Sequence, residues 1–155
     1  MRIQQIALFA LVVSIPSCKQ PSKPDATATF PEISGTWQLF EGITITKGES
    51  VTTDYTKKQR MIKVINGTHF AFLKHDVDVP KDSSLNFDAG GGSYDLQGDQ
   101  YTEHLDFYND RNWQGKSFRF TISINKDTLT QKGLEKVEGT GINREIIEKY
   151  VRIGG

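Results

Sequence analysis

Short alternating runs, each bounded by a turn signal, constrain this chain more than any other feature. Residues 117–124 (SFRFTISI) place Phe118, Phe120, Ile122 and Ile124 on one face and Arg119, Thr121 and Ser123 on the other. A period of two is the mark of a half-buried strand. Residues 36–46 (TWQLFEGITIT) read as a first strand. Residues 60–65 and 69–75 flank Asn66-Gly67, a strong hairpin signal because both residue types tolerate positive φ. Residues 92–96 and 101–108 flank Gln97-Gly98-Asp99, and residues 117–124 and 128–132 flank Asn125-Lys126-Asp127. Residues 145–153 (EIIEKYVRI) close the chain. They would also suit a short helix capped by Asn143, but their β-branched and aromatic content favours a strand. About eight strands in hairpin order predict an all-β, eight-stranded antiparallel up-and-down barrel. A sandwich is the structural alternative. The Gly90-Gly91-Gly92 run is expected to permit a bend or bulge entering its strand.

The first residues belong to a different problem. Arg2 is followed by an apolar run from Ile3 to Val13, interrupted by Gln4 and Gln5, and then by Ile15-Pro16-Ser17-Cys18. The run is too short to span a bilayer. An apolar residue, a small residue and a cysteine in this order resemble the lipobox of bacterial lipoproteins, and the resemblance implies cleavage before Cys18 and acylation of its thiol. Cys18 is the sole cysteine, and acylation accounts for a lone cysteine in an exported chain. Lys19 at the next position resembles the sorting signal for the outer membrane. Residues 1–17 are therefore expected to form a signal helix and residues 18–29 a disordered tether, Pro21 and Pro24 lying among small and polar neighbours. Residues 30–155 would form the barrel domain, facing the periplasm or the cell surface. With the thiol acylated, stability must come from packing and hydrogen bonds.

Nineteen basic and nineteen acidic residues balance, and they are intermingled. No basic patch is present to neutralise phosphates, which argues against nucleic-acid binding.

Several motifs resemble a known family. Gly35-x-Trp37 at the start of the first strand, with Arg152 on the last, is similar to the lipocalin pattern. There a tryptophan plugs the closed barrel end and an arginine lies over it. Thr68-His69-Phe70, Gly91-Gly92-Ser93-Tyr94, Tyr101-Thr102-Glu103-His104 and Asp127-Thr128-Leu129-Thr130-Gln131 follow in order. They resemble the small lipocalin-like proteins of unknown function found in Bacteroidetes-type bacteria, over roughly residues 34–153. Tyr150 stands where that family's closing segment tends to carry a tryptophan. The resemblance implies a barrel and a ligand cavity, with no known activity.

Alternation also assigns candidate site residues. Phe70, Phe72, Tyr94, Tyr101, Phe107, Phe118 and Phe120 fall at inward-compatible positions, to fill a core or line a pocket for a small, largely apolar ligand. Glu103 shares a face with Tyr101, Leu105 and Phe107, so it would point inward, either to orient a ligand or to pair with an interior Lys, Arg or Tyr. A metal site is not expected: His69 and His75 would lie about 20 Å apart along one strand, and Asp76, Asp78 and Asp82 lack the glycine and terminal glutamate of a calcium loop. No Gly-x-Ser-x-Gly elbow is present. Neither catalysis nor a cofactor is expected. The alternative function is a protein-interaction module with a filled barrel, binding through residues 47–57, 77–86 and 108–116, the last carrying Trp113 as an anchor.

Overall fold

The structure, a computed structural model, describes residues 32–81, 83–84 and 86–154. The expected signal peptide, Cys18 and the tether lie outside the described residues. Ten strands follow: β1 (Gly35–Thr46), β2 (Glu49–Asp54), β3 (Gln59–Ile65), β4 (His69–Asp76), β5 (Phe87–Gln97), β6 (Gln100–Leu105), β7 (Phe107–Tyr108), β8 (Lys116–Asn125), β9 (Thr128–Val137) and β10 (Ile142–Ile153). All pairings are antiparallel.

The ladder runs β10-β9-β8-β6-β5-β4-β3-β1, and β10 then pairs with β1 from Thr36↔Ile153 to Ile45↔Glu145. That last pairing closes the sheet and excludes a sandwich. The other edge of β1 is shared: Gly35–Leu39 pair with β3 and Glu41–Thr46 with β2. So β2 and β3 are two halves of one stave. In the same way β7 continues the β6 stave along β5. The result is a closed eight-stranded antiparallel barrel. The interrupted staves explain why ten segments make eight walls.

Three local expectations need correction. Residues 47–57 are largely strand. Lys47 and Gly48 adopt φ of 52° and 87°, and the two-residue turn joins β1 to β2. Every residue of β2 is exposed, so its sequence shows no apolar alternation. At Asn66-Gly67 the hairpin forms, but neither residue is among those at positive φ. The Asn66 side-chain oxygen instead accepts the backbone N–H groups of Thr68 and His69, both at 2.8 Å, the self-capping geometry asparagine offers turns. Third, Gly90-Gly91-Gly92 lies inside β5, which begins at Phe87. A Cβ on Gly92 would collide with His104 O and Asp106 N. The glycine admits the partner backbone where the β6 stave breaks, so the irregularity is on the neighbouring strand.

That break has a further consequence. Asp106 N–H bonds back to His104 O at 3.0 Å, and its carboxylate accepts Ser93 N–H at 3.1 Å. Alternation holds through buried Tyr101, Glu103 and Leu105 and then inverts. Phe107 turns outward and is 70% exposed, while Tyr108 packs inward against Phe72 and Trp113. Phe107 is thus removed from the expected lining by one extra backbone residue.

The core fills one end. Ile33, Trp37, Ile65, Phe70, Tyr101, Ile122, Leu129 and Tyr150 are buried there. Arg152 lies over the Trp37 ring, its guanidinium carbon 4.0 Å from the centroid, and donates to Ser34 O at 2.6 Å and Glu32 O at 2.7 Å. Trp37 Nε1–H donates to Ile33 O at 2.8 Å. Gly35, at φ +144°, leaves no room for a side chain beneath Arg152.

Candidate functional site

Two residues further toward the open end, the inward positions change character. On β3, β6, β9 and β10 they are Lys63, Glu103, Gln131 and Glu148. Alternation alone sends them inward, because Ile65, Tyr101, Leu129 and Tyr150 on the same strands are core residues and a strand repeats every two. Lys63 Nζ donates to Glu103 Oε1 at 2.7 Å and to Gln131 Oε1 at 2.9 Å. All three are buried. The ammonium also stands 5.3 Å from the Tyr150 ring centroid and 5.7 Å from that of Phe70. It is therefore held near the barrel axis, on a lid of aromatic rings.

Above this layer is a cavity of about 210 Å³. Its lining includes five aromatic side chains: Phe72, Tyr108, Trp113, Phe118 and Phe120. Trp113 contacts Tyr108 at 6.3 Å and Phe118 at 5.4 Å between centroids. Among the aromatic residues stand seven charged ones, Lys63, Lys74, Arg144, Asp88, Glu103, Glu135 and Glu148, contributed by strands all around the ring. Arg144 donates through Nε to Glu135 Oε2 at 2.7 Å and lies 5.9 Å over Trp113. Lys74 pairs with Asp88 at 3.1 Å. Tyr150 O–H donates to Glu148 Oε2 at 2.6 Å.

The electrostatics follow from burial. Desolvation raises the Glu103 carboxyl above its ordinary pKa despite the Lys63 ammonium, and likewise raises Glu135 against Arg144. Burial and the Asp88 carboxylate push the Tyr108 phenol up to about 12. Tyr150 is held well above its usual value by burial and then by Glu148.

Of the residues singled out from the sequence, the structure brings Phe72, Glu103, Phe118 and Phe120 to the cavity wall. Phe70 and Tyr101 lie in the packed layer beneath. Tyr94 is at the closed end, its ring tilted against Tyr101 at 5.2 Å between centroids and its hydroxyl donating to Asn66 O at 2.7 Å. Phe107 is outside, on a surface groove it shares with Leu73. Trp113 does not project from its loop as an interface anchor. It is half-buried and folds in over the open end. The polar lining residues Lys63, Lys74, Asp88, Gln131, Glu135, Arg144 and Glu148 were not among those singled out from the sequence. The signal was available: Arg152 is inward, so Tyr150, Glu148, Ile146 and Arg144 on the same strand must be too.

Outside the barrel, His104 bridges Ser117 Oγ and Asp95 Oδ2, each at 2.8 Å. The order hydroxyl, imidazole, carboxylate is that of a hydrolase triad. It lies flat on a paired sheet, with Ser117 directly opposite His104 in the ladder. The amide groups around the serine are thus placed for strand pairing, not for an oxyanion. Among the described residues no cluster of His, Cys, Asp and Glu is placed to hold a metal ion.

No protein-family model matches the chain, and no curated protein matches it. Among solved structures it is similar to a lipocalin-like protein from Bacteroides uniformis, at 19% identity and a TM-score of 0.47 over 77% of this chain and 97% of that one. It is also similar to an uncharacterized protein from Bacteroides eggerthii, at 14% identity and a TM-score of 0.46 over 77% and 98% of the two chains.

Proposed function

We propose that this chain is a lipid-anchored barrel that takes up one small amphipathic molecule through its open end, at the outer membrane of a bacterium. One observation carries the ligand half of the reading. The closed end is packed solid around Trp37, whereas the other half keeps about 210 Å³ into which aromatic faces and charged groups converge. Convergent polar groups against an apolar wall are the usual make-up of a small-molecule site. Ligand pockets run from about 300 Å³ upward, so the occupant is small. The cavity also revises the expectation of a largely apolar ligand: seven charged side chains line it, and a purely hydrocarbon guest would desolvate them without compensation. The lining bases and acids chiefly hold one another, which favours binding over catalysis.

The anchoring half rests on Ile15-Pro16-Ser17-Cys18. Two or three acyl chains hold stably where one does not, each buried methylene contributing about 0.8 kcal/mol. Metabolic labelling with a fatty acid would mark the wild type and not Cys18→Ser, which would be recovered unanchored. Native mass spectrometry of the exported protein tests the ligand. The wild type is expected to carry a small-molecule adduct that Ile146→Phe, which fills the cavity, no longer carries. An empty wild-type barrel from every growth condition would defeat the proposal.

A further inference from the structure

The charges in the cavity do not cancel. Lys63 is taken by Glu103 at 2.7 Å, Arg144 by Glu135 at 2.7 Å and Lys74 by Asp88 at 3.1 Å. Glu148 is the fourth lining carboxylate, and among the described residues no basic group lies within ion-pair distance of it. Its hydrogen bond comes from the Tyr150 hydroxyl, at one oxygen. A carboxylate offers about four acceptor positions on two oxygens, so most of its capacity is unspent. Resting on the ligand reading above, we infer that the guest is a small organic cation, a protonated amine on an apolar body, and that Glu148 receives its charge.

Three further observations point the same way. The negative charge of Glu148 is felt across the cavity, where it helps raise Glu103, Glu135 and Tyr150. An arriving cation would relieve all three. The lining also carries Tyr108, Trp113 and Phe118, and aromatic faces attract cations while accepting hydrocarbon. Trp113 already holds the Arg144 guanidinium over its ring. An anionic guest finds no unengaged base in the lining. A neutral guest leaves Glu148 desolvated without a counter-charge, which is costly for a charged group.

Probes on one phenylpropyl skeleton, differing in charge, test this. 3-Phenylpropylammonium, 3-phenylpropanol and 3-phenylpropionate share a ring and a three-carbon arm, and each is titrated calorimetrically into the exported protein and into Glu148→Gln. The ammonium is expected to bind the wild type at least tenfold more tightly than the alcohol, with the carboxylate weakest. Glu148→Gln should abolish that preference, since its amide oxygen can still accept from Tyr150 and the barrel is undisturbed. If the alcohol or the carboxylate matches the ammonium on the wild type, the cation assignment is wrong while the cavity remains a ligand site. A preference that persists in Glu148→Gln also overturns it. If none of the three binds the wild type, the ligand reading falls with it.

Discussion

Lys63 Nζ lies 2.7 Å from Glu103 Oε1 in the barrel interior, although β4 and β5 separate their strands around the ring. The contact ties two walls together through the interior, and Gln131 adds a third at 2.9 Å. Removing one member strands the other as a buried, unpaired charge. Lys63→Met is therefore expected to cost about 3–5 kcal/mol in chemical denaturation. The double replacement Lys63→Met, Glu103→Met should cost less than the single one, because no orphaned charge remains. A double variant weaker than the single would mean that the pair is a net contributor.

The same carboxyl sets a pH dependence. Its folded pKa is raised above the unfolded value of 4.5, and so is that of Glu135. Between the unfolded and the folded value the native state binds more protons than the unfolded chain. Stability from these groups is then fully present below the unfolded pKa and is lost as pH rises through the folded one. Acidification from neutrality toward pH of about 5 should stabilise the wild type relative to Glu103→Gln. Denaturation midpoints of both proteins across that range give the answer, and parallel profiles would refute it.

Arg152 closes the barrel end through one stack and two carbonyl contacts. Arg152→Ala is expected to lose about 3 kcal/mol, combining a cation–π contact with charge-assisted hydrogen bonds. Arg152→Lys should recover only a minor part, because an ammonium cannot fork to both carbonyls while lying flat on Trp37. Equal midpoints for the lysine variant and the wild type would contradict the role of the planar group.

The inversion at Asp106 separates two adjacent aromatics. Phe107→Ser should stay within about 0.5 kcal/mol of the wild type, as a surface change, whereas Tyr108→Ala should cost about 2 kcal/mol as its packing on Phe72 and Trp113 is lost. Thermal unfolding of the two variants decides it. The reverse ranking would restore simple alternation through residues 101–108.

Glycines can be ranked in the same way. Gly92→Ala drives a methyl group into the β6 backbone and should cost about 3 kcal/mol. Gly98→Ala, at φ +61° with nothing near its Cβ position, should cost about 1 kcal/mol from backbone strain alone. Similar losses at both sites would show that β5 can shift away from its neighbour.

Period-two alternation and turn residues made most staves legible, since a strand's buried face is written locally in every second residue. Phe118, Phe120 and Ile122 needed no tertiary information, and neither did the inward direction of Glu103. β2 was hidden because a hairpin arm wetted on both faces has no alternation to read. The turn at Asn66 kept its hairpin but changed its chemistry, because a side-chain acceptor competed with the left-handed backbone.

What the chain's own pattern determined is therefore the class of fold, its strand order and the inner face of each regular strand. Only the tertiary structure decided that β10 meets β1, that one extra residue at Asp106 exchanges Phe107 for Tyr108, and that Lys63, Glu103 and Gln131 converge from three separate walls. Alternation is a property of neighbours along a strand. Closure, inversion and the pairing of charges across an interior depend on residues far apart in sequence, and their energies exist only once the barrel has brought them together.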